Sequence, residues 1–228
     1  ATNEDGYIQQ KFSRVIMQSN HIDHCTRLCH SPSVEAMLTS LGSGATSNSY
    51  IDYEEAGCLV IIGSDANSNH PVAASRMRRA VIERGAKLVV INPRRIDMCD
   101  FADLWLRPRP GTDVALLNAL INVIIGEGLT DKQYVAAHTE GFEALKEQIK
   151  PFTPEVMEAV CGIPSDTLRT VARLYADAKA GIIFWGLGIS QSTHGTDNAR
   201  CLISLALITG QVGRPGTGLH PLRGQNNV

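Results

Sequence analysis

The run Cys58-Leu59-Val60-Ile61-Ile62, followed by Gly63-Ser64-Asp65, decides the fold class. Five consecutive apolar residues without alternation describe a strand covered on both faces, and such strands belong to parallel sheets with helices packed on either side. Pro71 then opens an amphipathic segment to about Arg84, which Gly85-Ala86 ends. A second unbroken apolar run, Lys87-Leu88-Val89-Val90-Ile91, follows, with Asn92-Pro93-Arg94-Arg95 as its exit loop. Strand, helix and strand in this order form the parallel crossover unit.

The pattern recurs downstream. Leu104-Trp105-Leu106 reads as a short strand, and Arg107 to Thr112 as a loop in which Thr112 or Asp113 can cap a helix running to about Ile125. Helix starts are expected at Thr130-Asp131, Thr153-Pro154 and Pro164-Ser165-Asp166. Gly181-Ile182-Ile183-Phe184-Trp185 is a further buried strand, Gly186-Leu187-Gly188 the turn after it, and Asn198 to Thr209 an apolar helix. The predicted class is α/β, doubly wound, with a mainly parallel sheet and helices on both faces.

Ligands of such sheets bind outside the carboxyl ends of the strands. The post-strand loops, Gly63 to Asn69, Asn92 to Arg95, Arg107 to Asp113 and Gly186 to Gly195, are rich in Gly, Asn, Ser, Asp and Arg. Small residues let a ligand approach the backbone, and Arg with free amides suits phosphate, so the implied ligand is large, polar and phosphorylated. Taken singly, each loop also reads as an ordinary turn. After Gly188 there is no third glycine at dinucleotide-fingerprint spacing, so an ordinary nicotinamide site is weakly supported.

With 228 residues, 43% of them hydrophobic, the chain can bury one good core. Its 21 basic and 23 acidic residues leave a formal charge of -2, which gives no footprint for nucleic acid or an anionic membrane. No window approaches the roughly 18 consecutive apolar residues of a membrane span. Six scattered cysteines in a chain of this size argue against a disulfide framework, and Cys58 and Cys201 sit in apolar segments. A start at Ala1 without Met and a stop inside a Gly/Asn-rich loop are expected of a piece of a longer protein.

Chemistry concentrates at the two ends. His24-Cys25-Thr26-Arg27-Leu28-Cys29-His30-Ser31-Pro32-Ser33 places a thiol beside an imidazole just before a helix start, where Pro32 fits the first turn and the helix dipole favours a thiolate. His21, His24, Cys25, Cys29 and His30 could also be read as zinc ligands, but no second ligand pair stands at finger spacing. A buried Cys beside a surface His is the plainer reading. Pro221-Leu222-Arg223-Gly224-Gln225-Asn226-Asn227 offers one guanidinium among glycine and amides, and the pair of segments suggests a site assembled from both ends.

These segments carry a resemblance. His24 to Val34 resembles the active-site stretch of molybdenum or tungsten formate dehydrogenases, within the molybdopterin oxidoreductases, where a cysteine or selenocysteine ligand precedes histidine. The likeness continues through Leu41–Ala45, Gly63–Pro71, Asn92–Arg95, Pro110–Asp113, Trp185–Gly188, Thr209–Gly213 and Pro221–Val228, in order and over nearly the whole chain. It implies that Cys29 is the thiolate ligand of the metal, His30 the adjacent proton-handling group and Arg223 the formate-binding cation. It further implies that Gly63, Asn67, Asn92, Arg94, Gly111, Asp113, Gly186, Gly188 and Gln225 contact a molybdopterin guanine dinucleotide, with Asp113 reading guanine through paired hydrogen bonds.

The cofactor so implied is molybdenum or tungsten bis(molybdopterin guanine dinucleotide), with an iron-sulfur cluster elsewhere in the full-length protein. Residues 1–24 are expected to be a lead belonging to a neighbouring domain, and 25–228 the cofactor-binding α/β domain. Formate or carbon dioxide, the remaining domains of the same subunit and an electron-accepting iron-sulfur or flavin subunit are the implied partners. Nucleic acid and a membrane span are not expected, and the implied compartment is cytoplasmic, with periplasmic the alternative. Two other functions stay open at this stage: another molybdopterin oxidoreductase such as a nitrate reductase, and a non-catalytic electron-transfer scaffold of the same fold.

Overall fold

The structure, a computed structural model, describes residues 2–225. Helix α1 (Asn3–Lys11) is capped by Thr2, which accepts from Asp5 N while the Asp5 carboxylate accepts from Thr2 N. A π-helical turn, Phe12–Ile16, prolongs it, and neither segment buries a residue. Helix α2 (Ser31–Leu41) follows, with Pro32 in its first turn and Gly42 ending it in the left-handed conformation.

The elements that build the sheet come next. After the short α3 (Asp52–Glu55), strand β1 (Cys58–Ile62) leads through α4 (Ala66–Asn69) and α5 (Pro71–Arg84) to β2 (Lys87–Ile91). Strand β3 (Leu104–Leu106) then hands over to five helices: α6 (Asp113–Gly126), α7 (Lys132–His138), α8 (Phe142–Ile149), α9 (Pro154–Cys161) and α10 (Ser165–Ala176). The chain returns as β4 (Gly181–Trp185), α11 (Leu187–Ser190), α12 (Gly195–Ile208) and β5 (Gly218–Pro221).

All five strands are parallel, in the order β3-β2-β1-β4-β5. Strand order reverses between β1, which runs on to β2, and β4, which pairs β1 from Cys58↔Gly181 to Ile62↔Trp185. That reversal opens a crevice between the two exit loops. Side chains alternate across the sheet: Cys58, Val60 and Ile62 join the large core with α2, α6, α9, α10 and α12, while Leu59 and Ile61 join the smaller one with α5 and Tyr53. Along β1, β2 and β4 both faces are covered, which is why these strands read as apolar runs.

One expectation changes in detail, and one strand is added. Thr112 does precede α6, yet its hydroxyl donates to Arg109 O at 2.7 Å instead of accepting from the helix, and no side chain caps that end. Strand β5 lies in a segment for which the sequence offers no strand signal: Gly-Leu-His-Pro has no apolar run, and an edge position tolerates its proline. By contrast, Asp131 and Thr153 cap α7 and α9 through their side chains. No helix among the described residues is long and apolar enough to cross a membrane, and all six cysteines are free thiols.

Candidate active site

The exit loops of β1 and β4 meet backbone to backbone. Gly63 has φ of +58°, and a Cβ at Gly188 would stand 2.7 Å from Gly63 Cα. Gly188 N donates to Gly63 O at 3.0 Å, and a Cβ at Gly186 would lie 2.8 Å from that oxygen. These glycines therefore serve loop-to-loop packing at the sheet reversal, as well as any approach of a ligand.

Beside this junction lies a cleft of about 480 Å³. Cys29 and His30 enter it from the start of α2, Gly63, Ser64, Asp65, Asn69 and His70 from the β1 side, Gly186 and Leu187 from β4, and Leu222 to Gln225 from β5. The two ends of the chain are thus brought together. Cys25 Sγ also reaches Gln225 Oε1, at 3.6 Å.

His30 is 1% exposed and both ring nitrogens are engaged. Leu222 O can only accept, so Nε2 carries the hydrogen and donates across 3.1 Å. In the neutral ring Nδ1 then accepts from Ser190 Oγ at 2.9 Å; Ser33 Oγ is 2.6 Å from Ser190 Oγ, and Trp185 Nε1 donates to Ser33 Oγ at 2.8 Å. Burial, reinforced by the Arg223 charge, lowers the His30 pKa to about 4 and keeps the imidazole neutral.

Cys29 departs from the sequence expectation of a dipole-favoured thiolate. Burial pushes its thiol up and Cys25 adds to the shift, while the Arg223 guanidinium opposes both. A bound cation would be the natural source of the missing stabilisation.

Arg223 is buried, and burial lowers its pKa while Cys29 raises it. Its Nη2 is held by Gly44 O and lies 3.6 Å from Met37 Sδ. Nε and Nη1 are buried without a partner among the described residues, as are His70 Nδ1 and Asn67 Oδ1. Leaving such groups unmet costs about 1–3 kcal/mol each: the two Arg223 nitrogens are donors that suit an anion, while His70 Nδ1 and Asn67 Oδ1 are acceptors that suit a donor, so this edge of the sheet is built to receive a polar ligand.

A scan against family models matches residues 1–227 to the molybdopterin oxidoreductase model. The chain belongs to the molybdopterin oxidoreductase family. It is 49% identical over 227 residues to the F420-dependent formate dehydrogenase subunit alpha of Methanocaldococcus jannaschii, covering 100% of this chain and 34% of that protein. Against formate dehydrogenase H of Escherichia coli the identity is 40% over 226 residues, 99% of this chain and 32% of that protein. Among solved structures, acetylene hydratase from Pelobacter acetylenicus superposes with a TM-score of 0.73 at 29% identity, over 82% of this chain and 25% of that one. The chain spans about a third of the length of the curated relatives it matches.

Family membership implies a molybdopterin-held metal, and the cleft suits one: a soft thiol, unpartnered buried donors and a glycine-lined floor converge there. Of the residues expected at the site, Cys29, His30, Gly63, Gly186, Arg223 and Gln225 line this cleft. The others do not. Asn67 Nδ2 donates to Asp97 Oδ2 at 3.3 Å, Asn92 Nδ2 to Ser64 O at 3.4 Å, and the exposed Arg94 pairs with Asp65 at 2.9 Å. Gly111 stands in open space with φ of +82°, and Asp113 opens α6 with its carboxyl pushed up by burial. Asn226 to Val228, the tail of the second end motif, lie outside the described residues.

Sequence reasoning quoted the segments that hold His70, Ser190 and Leu222 but gave none of the three a role. The available signal for His70 was an imidazole immediately before the proline that starts α5, on a loop at the carboxyl edge. No group of three or more His, Cys, Asp or Glu among the described residues forms a metal-binding cluster, so the alternative zinc reading finds no ligand set there.

Proposed function

We propose that this chain is the cofactor-binding core of a formate dehydrogenase, oxidising formate to carbon dioxide, a proton and two electrons, or running the reverse reaction. The observation that carries this reading is the buried Arg223, with two unpaired nitrogens, in one cleft with the Cys29 thiol. Formate is a planar carboxylate, and a guanidinium can hold it by parallel hydrogen bonds that also orient its only C–H bond. The names of the relatives, both formate dehydrogenases, support the substrate.

Cys29 supplies a thiolate to molybdenum or tungsten, held as the bis(molybdopterin guanine dinucleotide) form. When bound, that centre accepts the two electrons. His30 keeps its Nε2 hydrogen on Leu222 O, so Nδ1 is the atom at which this ring takes up and releases a proton. Gly63 and Gly186 border the cofactor, Gln225 closes the near end, and Asn67, Asn92, Arg94, Gly111, Asp113 and Gly188 extend the contact along the carboxyl edge, with Asp113 on guanine.

Residues 1–24 belong with a neighbouring domain, a reading supported by the exposed Tyr7, Ile8, Phe12, Val15, Ile16 and Met17. An iron-sulfur cluster elsewhere in the protein, and an electron-accepting iron-sulfur or flavin subunit, complete electron exit, in the cytoplasm or the periplasm. The test is metal and pterin analysis of the full-length protein together with formate-dependent reduction of a viologen dye. Turnover in proportion to bound metal supports the reading. A loaded protein that reduces nitrate but leaves formate untouched overturns it.

A further inference from the structure

The segment that carries Arg223 is held by two imidazoles. His30 Nε2 donates to Leu222 O at 3.1 Å, and His70 Nε2 donates to the next carbonyl, Arg223 O, at 2.8 Å. They reach it from different parts of the chain, one from the start of α2 and the other from the β1 exit loop. Leu222 N closes the grip by donating to Trp185 O at 2.8 Å. Among the described residues, these are the hydrogen bonds that hold the main chain of Leu222 and Arg223 beyond β5.

His70 is well placed for this work. It ends α4 and caps α5, and its backbone is pinned at both faces: its N–H donates to Ala66 O at 2.8 Å and its carbonyl accepts from Ala74 N at 2.9 Å. Pro71 restricts it further. The ring lines the cleft, and its Nδ1 is buried without a partner among the described residues, so Nε2 carries its one hydrogen bond to another residue. The Arg223 side chain, by contrast, keeps one nitrogen on Gly44 O and leaves Nε and Nη1 unpaired. Its aim therefore depends on its backbone anchor together with the single tether to Gly44 O.

We propose that His70 is a positioning residue for Arg223: by donating from Nε2 to Arg223 O it fixes the main chain from which the guanidinium addresses the substrate. The inference rests on the reading of Arg223 as the formate-binding cation. A ring at this position acts through its Nε2 hydrogen alone, and a glutamine, whose amide N–H₂ sits at a similar reach, can take over that bond. Alanine cannot.

The experiment compares wild-type full-length enzyme with His70→Ala and His70→Gln, using backbone hydrogen exchange and formate kinetics per metal-loaded molecule. In His70→Ala, exchange over residues 222–225 should rise at least tenfold while β1, β4 and α5 keep their protection, and kcat should fall and KM rise together. In His70→Gln both effects should largely revert. Unchanged exchange at 222–225 in a folded His70→Ala protein overturns the proposal, and so does a glutamine variant as defective as alanine. If the wild type turns over no formate, the functional reading fails instead, and the exchange measurement still decides the role of His70.

Discussion

Cys29 and Arg223, from opposite ends of the chain, line one cleft, and each favours the charged form of the other. Burial works against both charges, so neither is well stabilised alone. A buried guanidinium and a thiol in one cleft suit the anion-and-metal site proposed above, and the sheet reversal between β1 and β4 supplies the floor beneath them.

The floor should be intolerant of a single methyl group. In Gly188→Ala the new Cβ would meet Gly63 Cα at 2.7 Å and Gly63 O at 2.9 Å, both backbone atoms. Overpacking of this kind costs about 1–3 kcal/mol. We expect a melting temperature lowered by several degrees together with loss of bound cofactor; a variant that melts with the wild type would show that the two loops do not pack as described.

His220 should make stability depend on pH. Burial, with His70 and Arg223 adding, lowers its pKa from 6.5 to about 4, and the neutral ring bonds Tyr53 OH at 2.8 Å and Asn48 Oδ1 at 2.9 Å. Between these values the unfolded chain takes up a proton that the folded chain refuses. Stability is thus fully present above about pH 6.5 and falls as the pH drops towards 4, by up to about 3 kcal/mol from this group. Denaturant titrations at pH 7 and pH 5 should show about 2 kcal/mol of that loss in the wild type and a smaller change in His220→Gln. An equal loss in both would assign it to other groups.

Asp113→Ala should separate loading from catalysis. Asp113 lies outside the Cys29 cleft, at the start of α6, with its carboxyl raised by burial. If it reads guanine, the variant retains less nucleotide-bearing cofactor while the formate KM of loaded molecules stays the same. A raised KM at full occupancy would place Asp113 at the substrate.

Arg223→Lys should be more harmful than charge conservation suggests. An ammonium is a point donor without the planar two-point grip, and it would also give up the tether to Gly44 O. We expect kcat/KM for formate, normalised to metal, to drop about 10- to 100-fold, in line with loss of a charge-assisted contact of roughly 1.5–3 kcal/mol. Intact kinetics with depleted pterin would make Arg223 a cofactor ligand instead.

Much of this was legible in the residues. Strands β1, β2 and β4 read as apolar runs because both faces of the sheet are covered there, the edge strand β3 leaves Trp105 exposed, and all four match their sequence bounds. Strand β5 was hidden: its identity comes from pairing with β4 at Ile182↔Gly218, a long-range contact with no local periodicity. At the site, Cys29-His30 and Arg223 announce themselves by residue type. The burial that raises the Cys29 thiol and neutralises His30 depends on packing against segments far away in sequence, and no local pattern records it. His70 escaped notice for the same reason, since its partner is a backbone carbonyl 153 positions away.

The central claim, that Cys29 binds the catalytic metal, is tested most directly by Cys29→Ser in the full-length enzyme, followed by X-ray absorption at the molybdenum or tungsten edge and by formate turnover. A hard hydroxyl is a poor substitute for a soft thiolate. We expect one sulfur fewer around the metal, or the metal lost, with turnover reduced to background and the melting temperature almost unchanged. An unaltered sulfur shell with formate turnover retained would contradict the account.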